Sequence, residues 1–232
     1  MIFIQHTNID YQITIRSDVR YNIVIENPFF YREFVSGLKE QIDEDVSYVH
    51  IYKDMKEVSL SKYVFLISDL NNVQMDDKKI ASYIQKDVGS HLTDEQKSTF
   101  QNIVNTIDEY VESVSCLYQV PLQFDSDISF TSFFKALSLT SNYQGKNYLE
   151  TLILKILNIR LMTKTDILIF VNLHDFLSEE EFLLFDKEMM SNEIDYLIVS
   201  SHLPVSKPSK EFIIRIDNDL CELHIDNDEP IS

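Results

Sequence analysis

Two stretches of this chain, Val64-Phe65-Leu66-Ile67 and Ile167-Leu168-Ile169-Phe170-Val171, are apolar at every position. A half-exposed strand would alternate with polar residues, so each run reads as a strand covered on both faces. Tyr196 to Ser200 is a third of the same kind. Such strands sit in sheets that carry helices on either side, which points to α/β layering.

The remaining periodicity fills in that frame. Ile2 to Gln5, Tyr11 to Ile15 and Asn22 to Glu26 are short β-branched runs, and Ser47 to Tyr52 is another strand. Pro28 opens a helix through about Gln41, because proline suits a first helical turn. From about Asp76 the period changes. Phe100, Ile103, Val104, Ile107, Val111, Val114 and Tyr118 share one stripe of an amphipathic helix. A break at Pro121 precedes a short helix over Phe130 to Leu139 and a polar loop from Asn142 to Asn147. Leu149, Leu152, Ile153, Ile156 and Ile159 then mark a second apolar helical stripe. Ser178 with Glu181 forms a capping box, and Phe212 to Ile216 with Leu220 to His224 reads as a closing hairpin. The tail from Asp226 is acidic and reads as loose. The expected fold is a mixed-sheet α/β head domain, discontinuous over 1–75 and 165–232. An all-helical lobe is inserted at 76–164.

Composition narrows the chemistry. Lys and Arg number 20 against 38 Asp and Glu, a formal charge of −18. Taken alone, that balance argues against sequence-blind phosphate binding. Only Gly37, Gly89 and Gly145 occur, which excludes most phosphate-cradling loops and nucleophile elbows. Cys116 and Cys221 are too distant in sequence to suggest a disulfide framework or zinc knuckle. No basic region followed by a long apolar one marks a signal peptide, and no apolar run approaches the roughly 20 residues of a membrane helix. The chain reads as cytoplasmic.

Where a nucleotide-binding protein would place its phosphate loop, Ile23-Val24-Ile25 runs into Glu26-Asn27-Pro28. No glycine offers amides there, no lysine reaches a phosphate, and Glu26 would repel one. Asp69 ends a covered strand in the position of a metal–nucleotide acid, and Asn172 reads as a strand cap. Ser200-Ser201-His202 sets a nucleophile beside a base. Side chains adjacent in sequence rarely face each other, so the segment reads as a strand end leading to the turn at Pro204. Asp125 and Asp127 have two readings: one side of an extended segment offering carboxylates to a hard cation, or an acidic cap for the helix near Phe130. Lys135, Lys146, Lys155, Arg160 and Lys164 fall in a stretch poor in acid. They form either a local positive strip or ordinary solvated helix faces.

Several local strings, taken in order, resemble the ring-forming adaptation protein of type II-A CRISPR loci, the Csn-two family in its short form. The carriers are Ile23-Val24-Ile25-Glu26-Asn27, Phe65-Leu66-Ile67-Ser68-Asp69, Leu122-Gln123-Phe124-Asp125 and Phe134-Lys135-Ala136-Leu137. Thr163-Lys164, Ile167 to Asn172, and Phe176-Leu177-Ser178 continue the series along nearly the whole chain. The resemblance implies a nucleotide-hydrolase-like head without a phosphate loop, and a helical lobe. It further implies a homotetrameric ring that binds double-stranded DNA ends through a lysine-lined hole, without catalysis. Such a ring acts in spacer acquisition beside the CRISPR integrase and the type II effector nuclease. By position, Lys135 and Lys164 match family lysines that face DNA, with Lys56 a further match and Lys146 in the same basic stretch. Calcium, which holds the family's rings in shape, would fall to Asp125 and Asp127, or Ser126 if the match slips by one. Pro121, Gln123 and Ser132 stand where the family has further acids.

Two other readings stay open on the residues alone. One is a divergent metal-dependent nucleotide hydrolase or nuclease using Asp69. The other is an acidic interaction module without DNA binding, motivated by the net charge.

Overall fold

The computed structural model describes residues 2–6, 9–15, 19–43, 49–73, 77–119, 128–163, 165–205 and 211–225. In chain order the strands are β1 (Ile2–His6), β2 (Ile13–Ile15), β3 (Arg20–Ile25), β4 (Val49–Lys53) and β5 (Lys56–Val58). They continue with β6 (Val64–Ile67), β7 (Ile167–Val171), β8 (Asp195–Ser200), β9 (Glu211–Ile216) and β10 (Glu222–Ile225). The helices are α1 (Pro28–Asp43), α2 (Leu60–Tyr63), α3 (Asp77–His91), α4 (Asp94–Ser115), α5 (Phe130–Ala136), α6 (Tyr148–Thr163) and α7 (Glu179–Ser191).

The chain forms two compact units, 1–74 with 143–232, and 75–142. The sequence reading extends the helical lobe to residue 164, whereas these units place α6 with the head. There its Leu149, Leu152, Ile156 and Ile159 are buried, and the helix packs on α7. A helical stripe shows that α6 packs, but not on what.

The head holds two sheets. The larger is mixed, in the order β10-β9-β3-β8-β7-β6, with only β10 antiparallel to its neighbour. The smaller is antiparallel, in the order β2-β1-β4-β5. The continuously apolar runs occupy β6, β7 and β8. Nearly every residue of β7 and β8 is buried. Phe65 and Leu66 of β6, at the end of the sheet, are half-buried, so that run is not covered as fully as its sequence predicts. Along β3 the pleat splits the core by parity. Tyr21, Ile23 and Ile25 join Phe30, Phe34 and Leu38 of α1 and Ile4 and Ile51 of the smaller sheet in one cluster. On the other face Phe170, Tyr196 and Phe185 of α7 pack edge to face, with centroids 5.5–5.7 Å apart. Burying each such side chain contributes about 1.5–3 kcal/mol.

In the second unit α4 starts at a capping box, where Thr93 Oγ1 accepts from Gln96 N and Gln96 Oε1 accepts from Thr93 N. Phe100 of α4 packs on Phe130 and Phe133 of α5, at 4.0 and 5.2 Å between centroids. Gln85 of α3 donates to the Leu139 carbonyl at 3.0 Å.

Candidate nucleic-acid interface

The chain leaves β3 for α1 through only two residues, Glu26 and Asn27. Asn27 Oδ1 accepts from the amides of Phe29 (3.0 Å) and Phe30 (3.1 Å), while its Nδ2 donates to the Asn218 carbonyl (2.9 Å). Amides that could cradle a phosphate are thus taken by the protein's own carboxamide. Glu26 is held by Arg215 in a two-pronged ion pair, Nε to Oε1 at 2.8 Å and Nη2 to Oε2 at 3.1 Å. Hydrogen bonding to Glu26 raises the Arg215 pKa. This junction lies at the carboxyl end of the parallel strands, beside the reversal of strand order between β3 and β8, where such folds otherwise bind ligands.

The neighbouring strand ends are tied to one another. Asn172, in the left-handed region at φ 54, accepts from Ser201 N at 3.0 Å and donates its own N–H to the Val199 carbonyl at 2.8 Å. It therefore caps β7 and links it to β8, as the sequence predicts. Burial raises the pKa of Tyr31 beside it, with the Asp175 charge adding to that rise and Asn172 opposing it. Contrary to expectation, Ser201 and His202 do meet: Ser201 Oγ lies 3.1 Å from His202 Nδ1, whose Nε2 is 3.0 Å from Asp175. His202 and Asp175 are exposed, so this chain of contacts lies on the surface. Asp69, the acid of the hydrolase reading, is occupied locally: its Oδ1 accepts from the amides of Asn71 and Asn72, both at 3.1 Å.

Of the predicted DNA-facing lysines, Lys56 opens β5 opposite Lys53, across a two-residue turn whose Asp54 and Met55 both have positive φ. Lys146 precedes α6, where its N–H donates to Glu150 Oε2 at 2.7 Å. Gly145 is required there, because a Cβ would lie 2.5 Å from Thr151 N. Lys135 is in the last turn of α5, in the other unit. All three lysines are exposed, and none is in an ion pair among the described residues. Lys164, Asp125 and Asp127 lie outside the described residues. Among those described, no group of three or more His, Cys, Asp or Glu could hold a metal ion, and no helix is long and apolar enough to cross a membrane.

Sequence reasoning missed the buried charges of the head. Arg20 binds Asp186 at 2.5 Å, and Asp186 also accepts from Tyr196 Oη at 2.8 Å. His174 pairs with the buried Glu211 at 2.8 Å. These partners are far apart in the chain, and no local spacing announces them.

The head defines a protein with an α/β mixed sheet whose β3–α1 junction is closed by its own side chains. The family model for CRISPR-associated protein (Cas_Csn2) matches residues 41–220, and the chain belongs to that family. No curated protein matches it by sequence. Its fold is similar to a bacterial Atm1-family ABC exporter solved with ATP, at 13% identity and TM-score 0.43. That match covers 94% of this chain, which spans only 37% of the exporter's. A dimeric ATP-binding cassette in a post-hydrolysis state with ADP and Pi gives 11% identity and TM-score 0.47, covering 99% and 100% of the two chains. The ADP conformation of an ATP-binding cassette from an ABC transporter gives 9% and 0.44, covering 94% and 87%.

Proposed function

We propose that this protein is a non-enzymatic, sequence-independent binder of double-stranded DNA ends. It acts in CRISPR spacer acquisition as a ring-shaped homotetramer in the cytoplasm, beside the CRISPR integrase and the type II effector nuclease. Membership of the family supports the CRISPR setting. The observation that carries the non-enzymatic part is the β3–α1 junction, where Asn27 and the Glu26–Arg215 pair take the place of a phosphate loop. The DNA-binding part rests on Lys56, Lys135 and Lys146, which are exposed and outside any ion pair among the described residues. Lys164 joins them by position. Fourfold repetition would gather these cations although the chain carries −18. Calcium at Asp125 and Asp127 belongs to the same proposal.

The test is a gel shift of linear against closed circular duplex, in calcium and in chelator. Binding to linear DNA alone is expected, falling by about 0.9 log units per log unit of salt for each phosphate neutralised. Lys135→Glu should abolish it. Equal failure on both substrates in every condition overturns the proposal.

A further inference from the structure

Two of the most deeply buried polar side chains of the head use only half of their hydrogen-bonding capacity. Asn22 of β3 is 0% exposed and Glu211 of β9 is 1% exposed. Ser200 Oγ donates to Asn22 Oδ1 at 2.9 Å, and His174 Nε2 lies 2.8 Å from Glu211 Oε1. Asn22 Nδ2, a donor, and Glu211 Oε2, an acceptor, are buried with no hydrogen-bond partner among the described residues. Buried polar groups are paired almost without exception, so two complementary orphans call for a common explanation.

The register brings the two together. β3 and β9 run parallel, with Arg20 beside Glu211 and Asn22 beside Ile213. Tyr21, Ile23 and Ile25 of β3 and Ile214 and Ile216 of β9 join the cluster around α1. Asn22 and Glu211 therefore share the opposite face, on which α7 places Phe185 and Asp186. They are diagonal neighbours on adjacent strands, and strand spacing and rise set their Cα atoms about 8 Å apart. Side chains leaning toward each other over that span bring their ends within the reach of one small bridging molecule.

We propose that this face of the larger sheet holds a site for a single internal water molecule, which accepts from Asn22 Nδ2 and donates to Glu211 Oε2. The occupant must accept on one side and donate on the other. A cation cannot do the first and an anion cannot do the second, whereas water does both. With it in place, a continuous hydrogen-bonded chain crosses β8, β3 and β9, from Ser200 through Asn22, the water and Glu211 to His174. His174 is the end that reaches solvent. Its side chain is 12% exposed and lines a cleft of about 340 Å³ together with Leu177, Glu179 and Phe182. The Phe182 ring lies 4.5 Å from the imidazole, centroid to centroid, and Glu211 holds its inner nitrogen. The water thus completes the support that fixes one histidine at the mouth of a cleft. The inference involves neither DNA nor a second copy of the chain, so it stands or falls apart from the proposed function.

A high-resolution crystal structure of the full chain should show one isolated density peak within hydrogen-bond distance of both Asn22 Nδ2 and Glu211 Oε2. In solution, the side-chain amide protons of Asn22 in nitrogen-15-labelled protein should show a direct cross-relaxation peak to long-lived water. Asn22→Leu, which puts an apolar group where the donor stood, should leave the same position dry in its own crystal structure. A direct bond between the two side chains overturns the inference, as does pairing of either orphan atom with another protein group. So does an empty gap with no water peak for the Asn22 amide, or a water that persists unchanged in Asn22→Leu. Should that variant fail to fold, the two wild-type measurements decide alone.

Discussion

The two units hold themselves together differently. In the head, β3, β7 and β8 are buried almost end to end, with apolar packing on both faces of the larger sheet. Among the described residues of 75–142, only Ile80, Gln85 and Val104 are buried. The stripe of α4 is amphipathic as read from the sequence, yet Ile107, Val111 and Val114 are half-buried and Ile103 is exposed. Tyr118, which the sequence places on the same stripe, lies exposed beyond the helix's end at Ser115. The head is stabilised by a deep core, while the helical unit keeps much of its apolar stripe at the surface. An apolar pattern shows where a helix can pack, not how completely it does.

The contrast is open to direct attack. Phe170→Ala, at the centre of the aromatic cluster, should cost about 3–5 kcal/mol in chemical denaturation. Ile103→Ala in α4 should cost under about 0.5 kcal/mol, and comparable losses would erase the distinction. Gly145→Ala should cost about 1–3 kcal/mol, because the new Cβ would meet the backbone of Glu150 and Thr151. Thr93→Ala should cost about 1 kcal/mol, and hydrogen exchange should speed in the first turn of α4 while the head strands stay protected. The smallest effect is expected at Asp195, whose pKa burial raises, with Arg20 and Arg160 opposing the rise. A raised carboxyl favours the folded state below its ordinary pKa and loses that contribution as pH climbs through the folded value. Asp195→Asn should therefore raise Tm slightly at neutral pH and leave it unchanged in strong acid.

Local periodicity carried most of the fold. The apolar runs gave β6, β7 and β8, Pro28 gave the start of α1, and Ser178 with Glu181 gave the capping box that α7 shows. The short β5, the helix α3 and the second sheet escaped, because three-residue strands and mixed faces leave little periodic trace. At the site, the missing phosphate loop was readable at Glu26 and Asn27. The partners that close it, Arg215 and Asn218, lie about 190 residues further on and became visible only once β9 was laid beside β3. The strand does end at Ser200, but the contact of Ser201 with His202 beyond it leaves no trace in the sequence, for a related reason. Asp175, from the turn after β7, engages the ring from outside the local segment.

The two-residue passage from β3 to α1 has an engineering consequence. Converting this head into a motor would take inserted residues to lengthen the passage, a replacement for Asn27 and release of Glu26 from Arg215, all in one step. No single point change supplies them, so a phosphate-binding passage at this helix lies several coordinated substitutions away from the present sequence.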